Sequence, residues 1–147
     1  LIHQSIQIKN TIVCEDLSEN GIRKALNFGH TLGHAIESYF LESEEKKSLL
    51  HGEAIAVGMI LESYISKEKN LITNEEYHEI KYIINDIFER VEFNQNDINQ
   101  IIELLIYDKK NEFGKVQFAL LDGIGKIKIN QEADNDLIFK AFEDYSA

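Results

Sequence analysis

Apolar residues along the chain recur mostly at helical spacing. Ile2, Ile6, Ile8, Ile12 and Val13 form a mixed period that predicts a first helix over 2–13, followed by a polar turn from Asp16 to Gly21. From Ile22 the set Ala25, Leu26, Gly29, Leu32, Gly33 and Ile36 continues at steps of three and four, predicting one long helix to about Phe40. The stretch from Glu42 to Ser48 is charged and aperiodic and reads as a solvated loop. A second long helix follows from His51 to about Lys67. Its Gly52, Ala54, Ala56 and Gly58 would let neighbouring backbones approach closely, so a central position is expected.

Thr73 with Glu76 three residues later forms a capping box that opens a helix through Ile80, Ile83, Ile84, Ile87 and Phe88. Asn96 or Asp97 would cap another, carrying Ile98, Ile101, Ile102, Leu105 and Ile106. The period then changes to two at Val116, Phe118 and Leu120. Turn residues Asp122-Gly123 and Gly125 precede a second alternation at Ile127 and Ile129, the signature of a β-hairpin. Leu137, Ile138, Ala141 and Phe142 close the chain as a helix. The expected fold is mainly α: one multi-helix domain over residues 1–147 with a small hairpin.

The 147 residues include 44% hydrophobic ones, enough for a core that buries roughly 70% of the unfolded surface. No proline interrupts the helices. The net charge of −11 argues against nucleic acid or an anionic membrane as partner, since both would be repelled. No apolar run reaches the length of a membrane span, and the single cysteine, Cys14, suits a reducing compartment, so a cytoplasmic location is expected. Leu1 in place of an initiating Met leads us to expect a piece of a longer chain.

The chemistry concentrates in Arg23-Lys24-Ala25-Leu26-Asn27-Phe28-Gly29-His30-Thr31-Leu32-Gly33-His34 and in His51-Gly52-Glu53. His30 and His34 are four apart and share a helix face, and such a pair can offer two nitrogens to zinc. Taken alone, an H-x-x-x-H pair is more often packing or surface, and the glycines equally suit close helix packing. His3 and His78 stand in no such motif and read as surface residues.

The whole string through His34-Ala35-Ile36-Glu37, with Leu50-His51-Gly52-Glu53-Ala54-Ile55-Ala56-Val57-Gly58-Met59, closely resembles 3-dehydroquinate synthase. Ile8-Lys9, Gly21-Ile22-Arg23, Asp108-Lys109-Lys110-Asn111 and the hairpin segments extend the resemblance in patches. It implies the C-terminal helical domain shared in outline with glycerol dehydrogenase. It also implies a lyase of the shikimate pathway to aromatic amino acids, using NAD and zinc or another divalent metal such as cobalt. The implied reaction converts 3-deoxy-arabino-heptulosonate 7-phosphate, a small sugar phosphate, to 3-dehydroquinate and phosphate. The resemblance makes His30 and His51 metal ligands and puts His34 beside them as a polar or acid–base group near the substrate phosphate. It gives Lys9 and Arg23 the substrate carboxylate, and Asn27 with Lys110, or the adjacent Lys109, the phosphate end. The family's third ligand, a Glu in a Glu-x-x-Lys motif, and its N-terminal NAD-binding domain are absent from these residues, so the piece alone is expected to be inactive; the resemblance also implies a homodimer for the intact protein. The loop from Leu41 to Leu50 looks longer than the family's, which puts the reach of His51 in question. A sister sugar-phosphate cyclase, or an isolated non-catalytic helical domain, is the alternative.

Overall fold

The computed structural model describes residues 1–107 and 116–147. Helix α1 (Ile2–Glu15) is followed by a short 3₁₀ helix (Ile22–Asn27), α2 (His30–Glu42), α3 (His51–Glu68), α4 (Asn74–Ile87) and α5 (Gln95–Tyr107). An antiparallel hairpin, β1 (Val116–Leu121) and β2 (Ile127–Ala133), leads into α6 (Asn135–Ser146). The mainly helical architecture with one hairpin is thus the expected one.

Helix α3 is the central element, packing against α2, α4, α6 and β1. Ala54, Val57, Ile60, Leu61 and Ile65 are all buried, and their side chains join Leu32 and Ile36 of α2, Ile101 of α5, and Ile138 and Phe142 of α6 in one core. The small residues of α3 act where α2 crosses it. A Cβ added to Gly58 would lie 2.0 Å from the Gly29 carbonyl oxygen and 2.7 Å from the Gly33 nitrogen. Glycine spacing in both helices therefore serves backbone-to-backbone contact rather than room for a ligand.

Three expectations need correction. The long helix from Ile22 to Phe40 does not form: the chain turns at Phe28–Gly29, and α2 starts afresh at His30. Gly29 takes φ +79°, a conformation that costs other residues strain. A side chain there would also meet Met59 Cγ at 2.4 Å, so α3 fixes the break. The cap of α5 is Asn94, upstream of both expected residues. Its side chain accepts the Asp97 N–H at 2.9 Å, while its own N–H donates to Asp97 Oδ2 at 2.8 Å. The loop after α2 is not wholly solvated, because the Lys46 ammonium reaches inward to the buried Asp97 at 2.7 Å.

The capping box at α4 forms as expected: the Thr73 hydroxyl accepts the Glu76 N–H, and the Glu76 carboxylate accepts the Thr73 N–H. Strand β2 alternates between half-buried and exposed positions, whereas β1 is buried on both faces, with Ala119 and Leu121 inward beside Phe118 and Leu120. Phe118 pairs with Gln131 but Leu120 with Lys128, so β2 carries one extra residue. Asn130 takes φ +55° in that bulge. Helix α1 buries none of its residues, which accounts for its mixed apolar period.

Candidate metal centre and cleft

Two helix starts build the site. His30 is the first residue of α2 and His51 the first of α3, and the α2–α3 crossing brings them together with His34, one turn into α2. The ring centroids stand 5.3 Å apart for His30–His34, 5.9 Å for His30–His51 and 5.7 Å for His34–His51. One nitrogen from each ring lies within 4.8 Å of the other two. The 43–50 segment therefore does not keep His51 away, whatever its length.

The hydrogen bonds around the rings suit a metal. His30 Nδ1 is 3.0 Å from the Phe28 carbonyl oxygen, an acceptor that requires the ring to donate. His51 Nδ1 is 3.0 Å from the Glu37 carboxylate. Both contacts leave Nε2 for a ligand, the arrangement by which outer partners orient metal-binding imidazoles. Tetrahedral zinc at about 2.0–2.1 Å from each nitrogen would set them roughly 3.3 Å apart. The three nitrogens lie within 4.8 Å of one another, and the His34 and His51 rings are exposed. The donor set therefore fits a divalent ion, and geometry alone makes His34 as eligible as the two expected ligands.

Beside the histidines lies a cleft of about 860 Å³, lined by Lys24, Asn27, His30, Thr31 and His34 on one side and Gln117 and Asn130 on the other. The β2 bulge presents Asn130, whose side-chain oxygen accepts from the Lys24 ammonium at 3.1 Å. Asn27 lines the cleft and donates to Glu19 Oε1 at 2.9 Å. Arg23 instead faces the preceding turn: Nη1 donates to the Leu17 carbonyl at 3.2 Å, and Nε lies 4.0 Å from Glu19. That turn is organised by Asp16, whose carboxylate accepts the N–H groups of Gly21, Arg23 and Asn20 and is held below its ordinary pKa by them, Gly21 foremost. Lys9 lies on exposed α1 and is not part of the cleft lining. Lys109 and Lys110 fall outside the described residues. His3 and His78 lie on the surface, as expected.

Sequence reasoning assigned no role to Glu37, Glu19, Lys24, Asn130 or Glu62. Glu62 is fully buried on α3 and accepts the N–H groups of Gly29 at 2.6 Å and Leu32 at 3.1 Å. Burial pushes its carboxyl up to about 8, against the opposing pull of those N–H donors and that of Thr31.

Known proteins share this chain's sequence and fold. The family described as 3-dehydroquinate synthase C-terminal matches residues 1–111. The 3-dehydroquinate synthase of Parabacteroides distasonis is 39% identical over 145 residues, 99% of this chain and 40% of that protein. That of Picrophilus torridus is 39% identical over 94% of this chain and 39% of its own length. Among solved structures, a 2-deoxy-scyllo-inosose synthase complexed with carbaglucose-6-phosphate, NAD+ and Co2+ superposes with a TM-score of 0.77 at 28% identity, covering 97% of this chain and 39% of that one. A 2-epi-5-epi-valiolone synthase from Streptomyces hygroscopicus, with NAD+ and Zn2+ bound, shares the fold at TM-score 0.73 and 20% identity, over 98% of this chain and 39% of its own. The chain thus spans about two fifths of the length of its relatives. With its histidine cluster and the crossing of α2 on α3 inside the matched segment, the chain belongs to the 3-dehydroquinate synthase C-terminal family.

Proposed function

We propose that this chain is the metal-holding helical domain of a 3-dehydroquinate synthase, a cytoplasmic lyase acting in the shikimate pathway. Its substrate is 3-deoxy-arabino-heptulosonate 7-phosphate, cyclised to 3-dehydroquinate with loss of phosphate. The convergence of His51 with His30 and His34, which line the cleft, carries this reading. His30 and His51, each oriented through Nδ1, hold the metal, and His34 stands beside it to hold or pass a proton at the phosphate end. Asn27 contacts the phosphate, together with Lys110 or Lys109. Arg23 grips the substrate carboxylate with Lys9, which requires its guanidinium to leave Leu17 and Glu19; the two-pronged donor geometry suits that exchange. When bound, NAD supplies a transient oxidation and the divalent ion a Lewis acid for the substrate hydroxyls. A separate N-terminal domain binds the NAD, and the intact protein is a homodimer.

Cobalt titration of the intact chain tests the metal role. Binding that is lost in His30→Ala and in His51→Ala supports it; binding unchanged in both variants refutes it. The chain alone, given NAD and metal, is expected to release no phosphate from the heptulosonate. A sister cyclase is the second reading, favoured by the structural likeness to the inosose synthase. Assaying the complete enzyme with the heptulosonate phosphate and with glucose 6-phosphate separates the two, and the 39% identity to the synthases favours the first.

A further inference from the structure

We propose that Glu62 is a positioning residue that sets His30 against His51 by capping the start of α2 from the neighbouring helix. An α-helix begins with N–H groups that have no partner within the helix, and a side chain at the N-cap position usually accepts one of them. The N-cap of α2 is Gly29, which has no side chain to offer. Glu62 supplies the missing acceptor from α3: one carboxyl oxygen takes the Gly29 N–H at 2.6 Å, the other takes the Leu32 N–H at 3.1 Å, and Thr31 N–H points to the same group. His30 lies inside this bracketed segment.

The placement couples the two metal-ligand candidates. Glu62 is on the helix that begins with His51, one turn beyond Gly58, whose missing side chain admits the Gly29 carbonyl and the Gly33 backbone. One rigid element therefore carries His51 at its end, the contact surface for α2 in its middle, and the acceptor that orients the first turn of α2. A carboxyl buried to 0% exposure is costly unless hydrogen-bonded, and an aliphatic side chain would fill the same space without that cost. The carboxyl group stands where the N–H groups at the start of α2 face α3.

This inference rests on the metal reading for its consequence, but not for its geometry, and the test separates the two. Glu62→Gln keeps the shape and replaces one acceptor oxygen with a donor that opposes an N–H. In the intact chain we expect the Gly29 and Leu32 amides to exchange with solvent at least about 10-fold faster and the His30 ring proton signals to move. Cobalt affinity should fall on the order of 10-fold with a changed visible spectrum, as for loss of other outer partners of metal ligands. Glu62→Asp, which withdraws the carboxylate by one methylene, should act in the same direction and carries the same readouts should the Gln variant not fold. Ile65→Val, an equally buried change on the same helix, should alter neither amide exchange nor cobalt binding. Unchanged amides and His30 signals in the folded Glu62 variants would overturn the proposal, and so would a loss of cobalt affinity in Ile65→Val as large as in Glu62→Gln. If the unmutated chain takes up no cobalt, the metal reading falls, and the amide and His30 signals still decide whether Glu62 positions the start of α2.

Discussion

Replacing Gly58 with alanine is the most direct perturbation of the α2–α3 crossing. In an isolated helix this change is favourable by roughly 1 kcal/mol, because glycine loses more backbone freedom on folding. Here the added Cβ would stand 2.0 Å from the Gly29 carbonyl oxygen and 3.0 Å from Gly33 Cα. Ordinary contact lies near 3.5 Å, so the helices would have to separate by about 1.5 Å at this point. Both near atoms are backbone and cannot rotate away. Overpacking of this kind costs about 1–3 kcal/mol, and separating the helices also pulls Gly29 and Leu32 N–H from Glu62. The net effect should be a loss of about 2 kcal/mol in urea unfolding, a drop of roughly 4–8 °C in Tm for a chain of this size. Gly52→Ala on the same helix is the control, since nothing lies within 4 Å of its added Cβ. It should be neutral or stabilising by up to about 1 kcal/mol. Because His30 and His51 ride on the two separated helices, cobalt affinity should fall in Gly58→Ala and hold in Gly52→Ala. A Gly58→Ala protein as stable as the unmutated chain would refute the argument that the glycines serve backbone contact.

Other perturbations follow from the same contacts. Burial alone would raise the Asp97 carboxyl, but the Lys46 ammonium, the Tyr39 hydroxyl and the Asn94 N–H together hold it below its ordinary value. Its folded pKa lies below the unfolded one, so its contribution is complete at neutral pH and is lost as pH falls through the carboxylate range; Asp97→Asn should cost about 1–3 kcal/mol at pH 7 and flatten that part of the acid-unfolding curve. Glu37→Gln should weaken cobalt binding roughly 10- to 100-fold by calorimetry, leaving the urea midpoint nearly unmoved because Glu37 and His51 are solvent-accessible. In a complete enzyme, Arg23→Lys should lower kcat/KM about 10- to 100-fold by losing one prong of the carboxylate grip; unaltered kinetics would leave Arg23 only its contacts to Leu17 and Glu19.

What the chain discloses without its structure depends on the range of the interactions involved. The Thr73–Glu76 capping box is local, and both of its hydrogen bonds form. The histidine cluster was legible because His30 and His34 stand four apart within an apolar period, and because the two histidine motifs match one family's pattern together. The break at Gly29 was not, since a glycine in an apolar period reads as a tolerated helix residue until Met59 and Glu62 are brought against it. Asn94 was passed over as a cap because Asn96 and Asp97 offer the same chemistry nearby. Asp97 is instead committed to Tyr39 and Lys46, more than fifty residues away in sequence. Glu62, within Met59-Ile60-Leu61-Glu62-Ser63-Tyr64, looks like a surface residue of an amphipathic helix; only the all-round burial of α3 makes it exceptional.

The charge of the cleft bears on the order in which the site assembles. The chain carries a net −11, and among the described residues the lining of the cleft sets one lysine, Lys24, against Glu19 and Glu42. Lys24 is itself engaged with Asn130, and Asn27 with Glu19. The described residues of the lining do not by themselves attract a sugar phosphate. Two positive charges at the histidine cluster would reverse the local sign at one end of the cleft, where bound cations are often the largest local charges. Anion binding should therefore follow metal binding. In calorimetric titrations of the intact chain with inorganic phosphate, we expect measurable affinity with cobalt present and a loss of at least about 10-fold after chelation, a coupling of about 1.4 kcal/mol. His51→Ala should reproduce the chelated behaviour with cobalt present, since it removes a ligand without touching a lining residue. Phosphate affinity that is the same with and without metal would refute this order and assign anion binding to fixed side chains instead.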